Sequence, residues 1–285
     1  MTRKSMFHFA VVSLLWGIPY LLIKVAVEDF PPAAVVAGRT LIGASILIPI
    51  AIYRKKFGGA VLGFKYVAFY ALMEMIGPWI LITTAEQKID SGLAGLLVST
   101  VPIFATIITS LRGDHSVWQF KRVFGIIVGF IGLILVVGIE SLSGNSDPLS
   151  IAMVIVAAMG YAYAVIMVTS NLPLVDGIAI NGLAMAITTV FWAPVAIAQW
   201  PSSISMNSAL SLIALGVFST AIAFILFFKV MAEIGPARSS LVTYLNTAIA
   251  VLLGVIILRE PLTVGIIVGL PLVLIGSYWA SKKTV

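Results

Sequence analysis

About ten apolar runs, each near twenty residues long, fix what this chain can be. They cover 6–27, 33–53, 66–84, 91–111, 120–139, 149–169, 178–199, 208–229, 236–257 and 264–281. A helix needs roughly 20 apolar residues to cross the hydrocarbon core of a bilayer. Backbone groups there must be satisfied within the segment, so each run is expected to form a helix. Only 10% of the 285 residues are charged, against about 25% in a soluble domain. The expected fold is an all-α integral membrane protein of ten transmembrane helices. Short connections leave no room for a soluble domain. The first run lacks a small-residue cleavage site and is expected to remain as a helix.

The basic residues orient the spans. With the N-terminus in the cytoplasm, the inside holds Arg3, Lys4, Arg54, Lys55, Lys56, Lys65, Arg112, Lys121, Arg122, Lys229, Arg238, Lys282 and Lys283. The outside holds Lys88 and Arg259, with acidic loops at Glu28-Asp29 and from Glu140 to Asp147. Lys and Arg favour cytoplasmic loops, so both termini are expected in the cytoplasm. Two basic residues, Lys24 and Arg39, remain inside spans.

The second half repeats the first at an offset of 145. Trp16-Gly17 falls on Tyr161-Ala162, Pro32 on Gly177, Trp79 on Phe224, Ile89 on Ile234, Leu96 on Leu241 and Ser99-Thr100 on Tyr244-Leu245. Further on the offset becomes 140, and Gly125 to Gly129 repeats as Gly265 to Gly269. Five spans per half is an odd number, so the halves cross with opposite sense. The expected organisation is two inverted five-helix repeats, 1–143 and 148–285, in one transmembrane domain. Secondary transporters use this architecture and place the site near the midplane between the halves.

Other function classes find little support. No basic stripe interleaves with aromatics, so nucleic acid is not an expected partner. The chain has no cysteine and only two histidines, His8 and His115. There is no His-based zinc pair, no nucleophile elbow and no P-loop. No catalytic residue, metal or cofactor is expected. Neither a repeated pore helix nor a ring of charges suggests a channel.

The sequence resembles the EamA-type members of the drug/metabolite transporter superfamily over nearly its whole length. The residues that carry the likeness are Trp16-Gly17, the stretch Leu97 to Phe104, Ser239-Ser240-Leu241, Tyr244-Leu245, Leu252-Leu253-Gly254 and Arg259 to Thr263. Within that superfamily it looks most like the bacterial aromatic amino-acid exporters of the YddG type. Two positions depart from the pattern. Thr247 stands where the family usually has proline, and Gly113-Asp114 where Gly-Glu is usual. The lost proline leaves open whether the fourth and ninth spans bend alike. The resemblance implies a multi-pass exporter of the bacterial cytoplasmic membrane. It would move amino acids, aromatic and other small amphiphilic ones, or related metabolites through a central cavity by alternating access, without ATP. A multidrug or other metabolite carrier of the same superfamily is the alternative. The partners expected are a small-molecule substrate and membrane lipid; the oligomeric state is not readable.

Several residues are candidates for substrate binding. Trp16, Tyr20 and Lys24 are spaced by four and share one helix face. That strip either lines a cavity, with rings for apolar parts and an ammonium for a carboxylate, or Lys24 snorkels to the interface. Arg39 lies about two turns into the second span. A charge at that depth usually faces protein or water, so it binds a substrate carboxylate or pairs with Glu28 or Asp29. Glu74 sits mid-span with about nine apolar residues on either side. It could bind an amine, relay a proton, pair with Arg39 or stand as a neutral buried acid. Ser99, Tyr161, Tyr244 and Asn246 lie at midplane depth, as does Trp79, away from the usual interfacial belt of aromatics.

Overall fold

A computed structural model of the chain describes residues 3–113, 119–143, 147–234, 239 and 242–281. Among them every regular element is helical. Asp114, His115, Arg238, Ser240, Leu241, Lys282 and Lys283, all used in the sequence reading, lie outside the described residues, as does the Glu140 side chain.

Seven helical segments are long and apolar enough to cross a membrane. The first is α1 (Arg3–Gly17) running into α2 (Pro19–Ala26), and the second is α3 (Pro32–Tyr53). A short surface helix, α4 (Phe57–Leu62), was not foreseen. It fits there because Ala60 is buried and Gly63 passes close to Leu172. The third span joins α5 (Phe64–Ala71), a π-helical turn π1 (Leu72–Ile76) and α6 (Gly77–Ala85). The fourth is α7 (Ser91–Val98) with α8 (Val101–Leu111). Helix α9 (Phe120–Ser143) follows outside that count of seven, and then the fifth and sixth, α10 (Pro148–Asn171) and α11 (Gly177–Ala198). One long rod holds α12 (Met206–Gly216), a second π-turn π2 (Val217–Ile222) and α13 (Ala223–Ile234). Two shorter apolar helices close the chain, α14 (Val242–Ile257) and α15 (Val264–Ser281).

The breaks follow from local chemistry. Proline has no N–H to donate, so the ladder loses a bond just before Pro19, Pro78 and Pro102. At Pro102 the chain turns through Ser99-Thr100, whose hydroxyls donate to Leu96 O and Leu97 O, both at 2.6 Å. The Ser99 carbonyl is in turn bound by the Ser277 hydroxyl at 2.9 Å. α14, which carries Thr247 where proline was expected, runs unbroken, so it does not share the bend between α7 and α8. The Thr247 hydroxyl simply donates back to Thr243 O. Pro194 and Pro271 lie within α11 and α15 without ending them.

Two helix pairs flank the bundle: α3 against α11, and α9 against α15. Lipid is as apolar as leucine, so such pairs rely on close backbone approach at small residues. Gly129 of α9 meets Gly276 of α15, where an added Cβ would overlap the Gly129 backbone. The spacing at Gly125/Gly129 thus serves a contact within one chain. Large side chains such as Leu41, Ile134, Val190 and Ile256 remain exposed on the outer surfaces, as expected of faces that lipid covers.

The connections on one end of the bundle are tied together. Asp29 accepts from the Ser205 amide at 2.8 Å, and Ser208 Oγ donates to Val25 O at 3.0 Å. The Asp29 carboxyl is held below the usual carboxylate range by the Ser205 bonds. At that end Asp147 caps α10, accepting from Ser150 N and Oγ at 2.9 and 2.8 Å.

Candidate functional site

The helices enclose a central cavity of about 900 Å³. Thr109, Thr169, Val175 and Met231 line it toward the end of the bundle where the chain starts and finishes. Toward the other end it stops at Tyr20, Ile23, Arg39 and Ile82. The cavity is therefore continuous with one end of the bundle and closed at the end tied by Asp29 and Ser208.

Arg39 comes from α3 and is only 7% exposed. Its Nε and Nη2 both reach Thr220 Oγ1, at 3.3 and 3.2 Å. Its guanidinium carbon lies 3.8 Å from the centre of the Trp79 ring, a cation–π arrangement. No carboxylate pairs with it among the described residues. The expected alternatives for Arg39, an ion pair with Glu28 or Asp29, are not formed.

Glu74 projects from π1 into the same cavity. Its Oε2 has no hydrogen-bond partner, and Glu74 forms no ion pair with Arg39. A π-turn leaves backbone carbonyls without their usual i+4 donors, and such bulges cluster at functional sites. Here the Trp192 indole N–H donates to Ile76 O at 3.1 Å, which satisfies one of them. Trp192, an ordinary core residue by sequence, thus braces the turn that presents Glu74.

The second π-turn starts at Val217, 145 residues after Leu72, the offset of the expected repeat, and Ser219 lies 145 residues after Glu74. Ser219 also lines the cavity and its hydroxyl is unpartnered. Its neighbour Thr220 supports Arg39. The two π-turns therefore place an acid, Glu74, and a hydroxyl, Ser219, on the cavity lining, and Thr220 of the second holds the guanidinium.

Aromatic rings fill the space between. Trp16 packs on Phe227 and Phe224 with ring centres 4.5 and 5.5 Å apart. Gly17 lets this helix approach α14, where a Cβ would come 2.5 Å from Ile249 Cγ2. Tyr161 lines the cavity together with Glu74 and Arg39. Tyr70 Oη donates to Asn181 Oδ1 at 3.1 Å in the wall beside them. Tyr20, Trp79, Tyr161, Tyr244 and Asn246 all line the cavity.

Two candidates are placed elsewhere. Ser99 is buried at the α7–α8 turn, outside the cavity lining. Lys24 leaves the strip it shares with Trp16 and Tyr20. Its Nζ donates to Glu86 O and Ile89 O, both at 2.8 Å, and so caps the C-terminus of α6. Helix ends carry carbonyls without intrahelical donors and a partial negative charge, which favours an ammonium there.

Sequence reasoning missed Tyr70, Ser219, Arg122, Glu86 and Glu260. Arg122 lines the cavity mouth, where it had counted only as a loop charge. Glu260 binds the start of α7 through Ser91 N, Ser91 Oγ and Gly92 N at 2.7, 2.9 and 3.0 Å.

The model of the EamA-like transporter family matches residues 3–138 and again 148–282. The chain is 28% identical over 284 residues to the uncharacterized transporter YoaV of Bacillus subtilis (strain 168), covering 96% of each. It is 25% identical to the uncharacterized inner membrane transporter YedA of Escherichia coli (strain K12), covering 95% of this chain and 91% of that protein. A solved structure titled only "Crystal structure of protein" superposes with a TM-score of 0.69 at 16% identity, over 99% of this chain and 97% of the other. That likeness concerns the fold.

Proposed function

The chain belongs to the EamA-like transporter family, and we propose that it is a secondary transporter exporting amino acids, aromatic and other small amphiphilic ones, or related metabolites. This is the activity of the YddG-type exporters that the sequence resembles. One observation carries the reading. An unpaired guanidinium at Arg39 and an unpaired carboxylate at Glu74 line one aromatic-walled cavity. A zwitterion with an apolar side chain offers a group for each: carboxylate to Arg39, ammonium to Glu74, ring to Trp16, Tyr20 and Tyr161.

The architecture is read as ten spans in two inverted repeats, 1–143 and 148–285, with both termini cytoplasmic in a bacterial inner membrane. The double family match, the π-turns 145 residues apart and the basic residues near the termini support it. The cavity then opens to the cytoplasm, and alternating access would open its other end. The test is counterflow in liposomes with labelled L-phenylalanine and L-threonine, extended to a panel of amino acids. Uptake driven by the unlabelled compound inside is expected; its absence across the panel removes the substrate assignment.

A further inference from the structure

Beyond the cavity's closed end lies a second ionisable site that the substrate reading does not use. Glu86 follows the last turn of α6. It is 0% exposed, and neither carboxylate oxygen has a hydrogen-bond partner. Thr83, three residues earlier on the same helix face, is also 0% exposed with its hydroxyl unpartnered. Three orphaned oxygens therefore share one dry spot, one turn from Ile82 at the cavity's end. A buried polar atom without a partner is costly and calls for an explanation.

The neighbours say what would satisfy the carboxylate. Lys24 and Tyr20 face it from α2, Arg39 from α3 and Glu260 from the loop before α15. The Lys24 ammonium lies on the backbone carbonyls of Glu86 and Ile89, not on the carboxylate. Glu260 is held by the start of α7 and adds like charge. A metal cation would have to displace Lys24 from those carbonyls and sit among two fixed positive groups. A proton neutralises the carboxylate through a single O–H bond, needs no shell of oxygen ligands and leaves Lys24 on its carbonyls, and so suits a group stripped of water.

We propose that Glu86 is a proton-binding site at the closed end of the cavity, whose protonated form holds that end shut and whose deprotonation lets it open. Opening admits water to the carboxylate and brings Lys24 and Arg39 within reach as counter-ions. The substrate's exit would then be linked to proton movement. The inference rests on the transport reading above, but its test needs no substrate and no membrane orientation.

The chain has no cysteine, so a single introduced thiol reports cleanly. Ile89, 1% exposed beside Glu86, is changed to Cys in purified protein and its labelling by a small maleimide is followed from pH 5.5 to 8.5. Each rate is divided by that of Ser203→Cys, an exposed position, to remove the thiol's own pH dependence. The ratio is expected to rise with pH, by up to about tenfold per unit where Glu86 titrates. Glu86→Gln should keep the ratio low at every pH. Lys24→Met, which removes a cation favouring the charged form, should move the rise to higher pH. A flat profile in the parent, or an unchanged one in both Glu86→Gln and Lys24→Met, overturns the proposal. So does a rise driven by sodium at fixed pH. Should Glu86→Gln fail to fold, the Lys24→Met shift decides alone. Loss of counterflow with the pH response intact would count against the substrate reading only.

Discussion

Replacing Arg39 by Met and crossing that change with ligands that lack one charge separates recognition from architecture. The guanidinium is 7% exposed, and it already has two long bonds to Thr220 at 3.3 and 3.2 Å and a ring contact at 3.8 Å. Arg has five N–H donors in all, so bonds remain for a ligand carboxylate. A hydrogen bond to a charged group contributes about 1.5–3 kcal/mol. The cavity is open at one end, so water competes and the net loss belongs near that range for the whole contact rather than per bond. At 1.4 kcal/mol per decade this is about 10- to 100-fold in affinity. Phenylalanine and 3-phenylpropionate should both weaken by that factor, measured by calorimetry or competition in counterflow. Phenethylamine, which has no carboxylate, should change by about threefold or less. Thr220→Val keeps the charge and removes only its support, so its effect should be smaller and of the same pattern. Equal weakening of all three ligands would refute the assignment, because Arg39 would then be holding Trp79 and π2 rather than the substrate. No weakening at all would refute it as well.

Glu74→Gln is isosteric and should give the mirror pattern, with phenylalanine and phenethylamine weakened about 5- to 30-fold and 3-phenylpropionate unaffected. Gly276→Ala should destabilise the folded protein by about 1–3 kcal/mol in thermal unfolding in detergent. The new methyl would overlap the backbone of Gly129 and lie 2.7 Å from Gly125 O, and backbone cannot step aside alone; an unchanged midpoint would mean α9 and α15 pack more loosely than described. Asp176 caps α11 by accepting from Ile178 N and Ala179 N at 3.0 and 3.1 Å. Asp176→Ala should therefore cost about 1 kcal/mol while Asp176→Asn costs little, with denaturation midpoints as the check.

The apolar runs were legible because the bilayer leaves a segment few alternatives, so composition and length suffice for most spans. The cavity was legible in part for a related reason. A charge such as Glu74 with apolar residues on both sides has no escape along its own helix, and the reader can see that in one dimension. The π-turns were not legible: π1 lies just before Pro78, but π2 sits in a rod without proline, and no periodicity marks either. Nor was the use of Lys24, since the carbonyls it binds lie 62 and 65 residues away. The Arg39–Thr220 contact spans 181 residues. Glu86 shows where depth along a span misleads. Next to Gln87, Lys88 and Asp90 it reads as a solvated loop residue, because a span's end normally meets water. Here that end is roofed by α2, α7 and the Glu260 loop, so a carboxylate at the nominal interface is drier than Glu74 near the middle. Under the alternating access proposed above, burial is set by which end of the path is closed. An acid at the closed end would then meet water in one state and not in the other, whereas an acid at the centre would face the cavity in both. On that reading the group best placed to sense the cycle sits at the end of a span, where a scan by depth assigns it the least weight.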